Sequence, residues 1–100
     1  MEKIKFFFEY EINTPFYSKD NFCFIKINNL LQNKYLIKEI EELECMYQQT
    51  YNDNYPPEPL HNDKIREYIF INRVLVSAEL LQKELEGKYN FEFDWEEWID

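Results

Sequence analysis

Glycine is nearly absent from this 100-residue chain, with Gly87 the single one. A phosphate-cradling loop needs several glycines for close backbone approach. The strained turn of a G-x-S-x-G nucleophile needs two, so both kinds of site are excluded. Cysteine and histidine are scarce as well: Cys23 and Cys45 are the only thiols and His61 the only imidazole. That set is too small for a disulfide framework or a zinc site, so no cofactor or metal is expected. Both cysteines read as small buried apolar residues in a reducing cytosol. No apolar run approaches the roughly 18 residues of a membrane span, and no basic stretch followed by an apolar region opens the chain. The expectation is a soluble, unexported, cytoplasmic protein.

Basic residues are missing from two whole segments. Residues 39 to 63 carry Glu39, Glu41, Glu42, Glu44, Asp53, Glu58 and Asp63 with no base, and residues 89 to 100 carry Glu92, Asp94, Glu96, Glu97 and Asp100 with none. The remainder is slightly basic, so the net charge of −9 is local. Both segments hold large aromatics: Tyr47, Tyr51 and Tyr55 in the first, and Tyr89, Phe91, Phe93, Trp95 and Trp98 in the second. Acids around aromatics suit a basic protein partner. The same charge repels bare nucleic acid and anionic membranes. With 45% apolar and 19% aromatic residues the chain can bury a core, and its length fits a single domain over residues 1 to 100.

Periodicity supplies the elements. Ile4, Phe6, Phe8, Tyr10 and Ile12 alternate with Lys3, Lys5, Glu9 and Glu11, which predicts a first strand ended by Asn13, Thr14 and Pro15. A loop is expected over residues 15 to 21. Residues 22 to 27 then read as a hairpin-related strand, or alternatively as the start of a helix. Leu36, Ile40, Leu43 and Tyr47 form one helical stripe from about Asn33 to Thr50. Pro56, Pro57 and Pro59 predict an extended, rigid crossing.

Asp63 is expected to cap a second helix that ends at Gly87. That helix has two apolar faces, one with Ile71, Val74, Ala78, Leu81 and Leu85 and another with Ile65, Ile69, Val76 and Leu80. Both should be covered, so the helix is expected at the centre of the fold, with an oligomer contact as the alternative. The tail from Tyr89 to Glu96 alternates aromatic and polar residues, which predicts a strand lying beside the first, its acids facing Lys3 and Lys5. The fold class is therefore α+β: a β-hairpin, two helices and a C-terminal strand in a small sheet packed on the helices.

Chemistry is sparse. Glu58, His61 and Asp63 are close in sequence, but their spacing matches no helix-face ligand pair or calcium loop. Carboxylate pairs abound only in charge runs, whereas acid/base catalysis needs them desolvated with their pKa values driven apart. No catalytic site is expected. The simplest reading of Glu39, Glu41, Glu42 and Glu44 is a solvated helix face. The competing reading is a partner surface, with Glu39, Glu42, Asp53 and Tyr55 from the first segment and Asp94, Glu96, Glu97 and Trp98 from the second. Trp98 lies beyond the alternating run beside carboxylates, as an interface anchor would, or else it packs onto the domain.

A strand ending Phe8-Glu9-Tyr10, the segment Pro15-Phe16-Tyr17-Ser18-Lys19-Asp20, an acidic helix, and Leu85-Glu86-Gly87-Lys88-Tyr89 before an acidic aromatic end give a further pointer. The layout resembles small immunity proteins of bacterial polymorphic or contact-dependent toxin systems. It differs from them in lacking a tryptophan in the aromatic loop and in its longer proline crossing. The resemblance implies a cytosolic protein that binds a cognate toxin domain, often a nuclease, with an acidic face against its basic cleft. It implies a stoichiometric inhibitor and not an enzyme. The alternative is a phage-encoded acidic inhibitor of a host defence nuclease, whose carboxylates stand in for DNA phosphates. A small metal-dependent hydrolase is a third class, one that would require metal affinity dependent on His61.

Overall fold

A computed structural model describes the backbone of residues 1–49 and 60–99 and the side chains of 1–49 and 64–99. Along the chain run β1 (Lys3–Phe6), β2 (Phe16–Ser18), β3 (Cys23–Phe24), α1 (Ile27–Leu30), α2 (Lys34–Gln49), α3 (Leu60–Leu85), β4 (Asn90–Glu92) and α4 (Trp95–Trp98). The strands form one sheet in the order β3-β2-β1-β4. β1 is antiparallel to β2 and parallel to β4. The tail strand thus neighbours the first strand, as the alternation of both predicts, and the fold is α+β.

Phe6 and Ile4 point from the sheet into a core that Phe8, Phe16, Leu31, Leu36, Ile40, Leu43, Val74, Ala78, Leu81 and Leu85 complete. Asn33 starts α2 by accepting from the backbone N–H groups of Tyr35 and Leu36 at 2.9 and 3.2 Å, which satisfies two otherwise orphaned donors. Gly87 ends α3 in the left-handed region, φ +82°, while the N–H groups of Lys88 and Tyr89 both donate to the Leu85 carbonyl at 3.0 Å. This is the termination expected of a lone glycine after a helix.

The first strand stops at Phe6, well short of its predicted end at Ile12. Pro15 has no N–H, so the ladder with β2 closes once Phe7 N–H donates to the Pro15 carbonyl at 2.9 Å. Residues 9–12 then turn, with Glu11 at φ +70°. Gln48 of α2 holds that turn: its Oε1 accepts from Glu11 N–H at 3.0 Å, and its Nε2 donates to the carbonyls of Glu9 and Ile12 at 2.9 and 3.1 Å. The expected loop over 15 to 21 contains β2 instead. Residues 22 to 27 divide, Cys23 and Phe24 entering the sheet and Ile27 opening α1.

Further expectations are corrected. α3 begins at Leu60, so Asp63 lies within the helix and does not cap it. The helix buries Val74, Ala78, Leu81 and Leu85 on one side, whereas Ile65, Ile69, Val76 and Leu80 are exposed, so it flanks the core instead of running through it. Cys23 and Cys45 are both exposed. The tail leaves the sheet after Glu92 because Asp94 caps α4, its carboxylate accepting from Glu97 N–H at 3.4 Å. Trp95 and Trp98 then fall three apart on one helical turn, and both pack partly buried against the core. Glu92 stands opposite Lys5 in the register, as expected, and Asn90 opposite Lys3; the ion pair that Glu92 makes is nevertheless with Lys19 at 3.1 Å, while the Lys5 ammonium sits over the Phe7 ring. The proline crossing, Asp53 and Tyr55 lie outside the described residues.

Candidate functional site

The candidate residues separate into two clusters. In the first, α2 presents Glu39 and Glu42 toward α3. The Arg73 guanidinium donates from Nε to Glu39 Oε2 at 2.8 Å and from Nη2 to Glu39 Oε1 at 2.6 Å, and it lies 3.3 Å from Glu42 Oε1. The paired hydrogen bonds from Arg73 hold the Glu39 carboxyl below the usual range, outweighing partial burial. Much of the negative charge read from these two acids is therefore spent on an intramolecular cation. Glu41 remains exposed.

Glu44, read as part of a solvated face, is buried at 5% exposure. Its Oε1 accepts from Gln48 Nε2 at 2.8 Å, while Oε2 has no hydrogen-bond partner. Burial pushes its pKa up against the opposing effect of the Gln48 bond. The helical periodicity gives no warning of this, since Glu44 adjoins Leu43 on the border of the apolar stripe, where a turn of a few degrees decides exposure.

The second cluster lies where the turn after β1, the last turns of α2, the middle of α3 and α4 converge. Phe8 is its centre, with ring centroids 5.2 Å from Tyr47, 5.7 Å from Phe70 and 6.1 Å from Trp98. Tyr10 stacks on Tyr47 at 4.5 Å, and Trp98 also meets Phe70 at 5.8 Å and Phe93 at 6.4 Å. Trp98 is thus packed on the domain, the second of the two readings that its position allows. The segments that carry these rings also carry exposed acids: Glu9 and Glu11 in the turn on either side of Tyr10, and Asp94, Glu96 and Glu97 in and before α4. The Tyr47 hydroxyl is pushed up to about 12, first by burial and then by Tyr10, Glu9 and Glu44.

Sequence reasoning missed Glu9, Tyr10 and Phe70. Period-two alternation placed Tyr10 inside the core and Glu9 on an outer strand face, and only the position of Pro15 marks where the strand must end. Among the described residues no group of three or more His, Cys, Asp or Glu is placed to hold a metal ion. No described helix is long and apolar enough to cross a membrane. This end of the molecule combines packed rings with exposed carboxylates on the adjoining turn and on α4.

A comparison with curated proteins returns no match. The sequence does match, over residues 2–96, the family model described as Serratia CdiI immunity protein-like. That match spans nearly the whole chain, and the chain belongs to the Serratia CdiI immunity protein-like family.

Proposed function

We propose that the chain neutralises a toxin by one-to-one binding, without catalysis, and that the contact is made by the aromatic-acidic end. The toxin is a basic protein, and its activity is that of a nuclease. A nuclease must present a cationic cleft to a phosphate backbone, and a carboxylate rim around fixed rings competes for the same cleft. The observation that supports this most is that the Phe8 ring meets both Trp98 of α4 and Tyr47, on which Tyr10 stacks, so that the segments bearing the exposed Glu9, Glu11, Asp94, Glu96 and Glu97 are joined by one set of ring contacts. Steering by these charges sets the association rate, and desolvation of the rings sets the residence time. Glu39 and Glu42, already paired with Arg73, hold the helices together and contribute less to the contact.

The test is capture of the partner from the native host, followed by titration of its activity with the chain. Nuclease activity should fall in proportion to added protein and reach zero at one equivalent. Activity that survives an excess of the chain, or a captured partner without a basic surface, contradicts the proposal.

A further inference from the structure

The backbone at Glu11 is the feature of the acidic end that the packing of the core explains least. Its φ of +70° lies in the left-handed region, which side chains other than asparagine and aspartate rarely enter. Such a conformation persists only where its surroundings impose it, and it is concentrated at sites that bind or switch.

The turn supplies little of its own hold. β1 has left the ladder at Phe6, and the turn's own backbone hydrogen bond, from Ile12 N–H to the Glu9 carbonyl, is long at 3.3 Å. Gln48 makes up the difference with three shorter bonds: Oε1 accepts from Glu11 N–H at 3.0 Å, and Nε2 donates to the carbonyls of Glu9 and Ile12 at 2.9 and 3.1 Å. A fourth runs back along α2, from Nε2 to Glu44 Oε1 at 2.8 Å. The two hydrogens of Nε2 thus face three acceptors, which fixes the orientation of the amide. Glu44 braces it at a cost to the fold, being 5% exposed with an Oε2 that has no hydrogen-bond partner. Departures of this kind from local rules are expected where function requires them.

We propose that Gln48 is a positioning residue for toxin binding: by clamping the backbone of Glu9, Glu11 and Ile12, it fixes Tyr10 and the two acids beside it before the toxin arrives. The role rests on the aromatic-acidic end being the toxin contact. Gln48 is uncharged and half-buried, so it adds nothing to steering. What it removes is the freedom that a loose turn would lose on binding. Tyr10, 37% exposed, is stacked at 4.5 Å on Tyr47, the neighbour of Gln48, so one turn of α2 holds both the ring and the backbone of this segment.

Gln48→Met tests the role, since it keeps helix propensity, approximate volume and net charge while deleting every hydrogen bond to the turn. In the free chain the Glu11 amide should exchange with deuterium roughly tenfold faster or more, with the amides of Ile40 and Leu43 unchanged. Affinity for the toxin captured from the native host should fall roughly tenfold or more. The salt dependence of the association rate should stay that of the parent, because every charge remains. A merely structural clamp would lower the unfolding midpoint and leave the affinity of the folded chain intact, which overturns the inference. A parent whose Glu11 amide exchanges like an unprotected peptide overturns it without any variant, even if Gln48→Met misfolds. Glu9→Gln/Glu96→Gln/Glu97→Gln separates the positioning role from the contact it serves. If that variant binds the toxin like the parent, the acidic end is not the contact and the role of Gln48 falls with it. If it binds weakly while Gln48→Met binds normally, the positioning role alone is overturned.

Discussion

Arg73 in α3 grips Glu39 in α2 through two hydrogen bonds, at 2.8 and 2.6 Å. The pair ties together the two long helices at a point where the sequence alone shows only an acid in a run of acids. Both side chains keep about 30% of their surface in water, 28% and 32%, so solvent screening limits the contribution to about 1 kcal/mol. Arg73→Ala should lower unfolding stability by about that amount, measured in urea. The depressed Glu39 pKa adds a pH signature: its stabilisation is complete above the unfolded value of about 4.3 and is lost as pH falls through the folded one. Glu39→Gln should flatten that acidic limb.

Glu44 should behave in the opposite sense. Its pKa is raised by burial, so the folded state holds the proton more tightly and stability falls as pH rises from the unfolded value through the folded one. Glu44→Gln keeps an acceptor for Gln48 and removes the buried charge. It should stabilise the protein by about 1 kcal/mol at pH 7, and the gain should shrink toward pH 4. An equal gain at both pH values would show that the carboxylate is not desolvated.

Phe8 joins the sheet to the aromatic cluster, and Leu81 lies fully buried on α3. Phe8→Ala and Leu81→Ala should each cost about 2–5 kcal/mol. Urea midpoints that stay within error of the parent would show that these faces are not buried.

Trp98 belongs with the core-supporting residues. Its contacts with Phe8, Phe70 and Phe93 mean that Trp98→Ala should destabilise by about 2 kcal/mol, less than the roughly 3–5 of a fully buried site. A variant combining it with changes at Glu96 and Glu97 would confuse folding with binding, so charge and ring have to be tested separately. An unchanged melting temperature for Trp98→Ala would return the residue to a purely interfacial role.

What was legible in the sequence is what local patterning controls. Leu36, Ile40 and Leu43 sit on the predicted stripe of α2, Gly87 ends α3, and the alternating tail lies beside β1. The reading failed where a single residue overrode a period. Pro15 ended a strand whose alternation ran on to Ile12, and Asp94 converted the last predicted strand residues into a helical turn. It failed again where pairing depends on tertiary placement: no pattern in the sequence shows that Arg73 reaches Glu39 or that Glu44 is enclosed. The acidic character of the tail is visible, but the ring contact that joins Trp98 to Phe8, and through Tyr47 to Tyr10, is not, because it requires knowing that the turn after β1 packs on the end of α2.

The most direct test of the account is the association rate of the chain with its captured toxin, measured against ionic strength for the parent and for Glu9→Gln/Glu96→Gln/Glu97→Gln. The parent rate should fall steeply from low to physiological salt, as the screening length drops from about 30 Å at 0.01 M to about 8 Å at 0.15 M. The variant should bind at least tenfold more weakly, with a shallower salt dependence and an unchanged unfolding midpoint. A variant that matches the parent in both rate and salt dependence would contradict the acidic end as the toxin-binding surface.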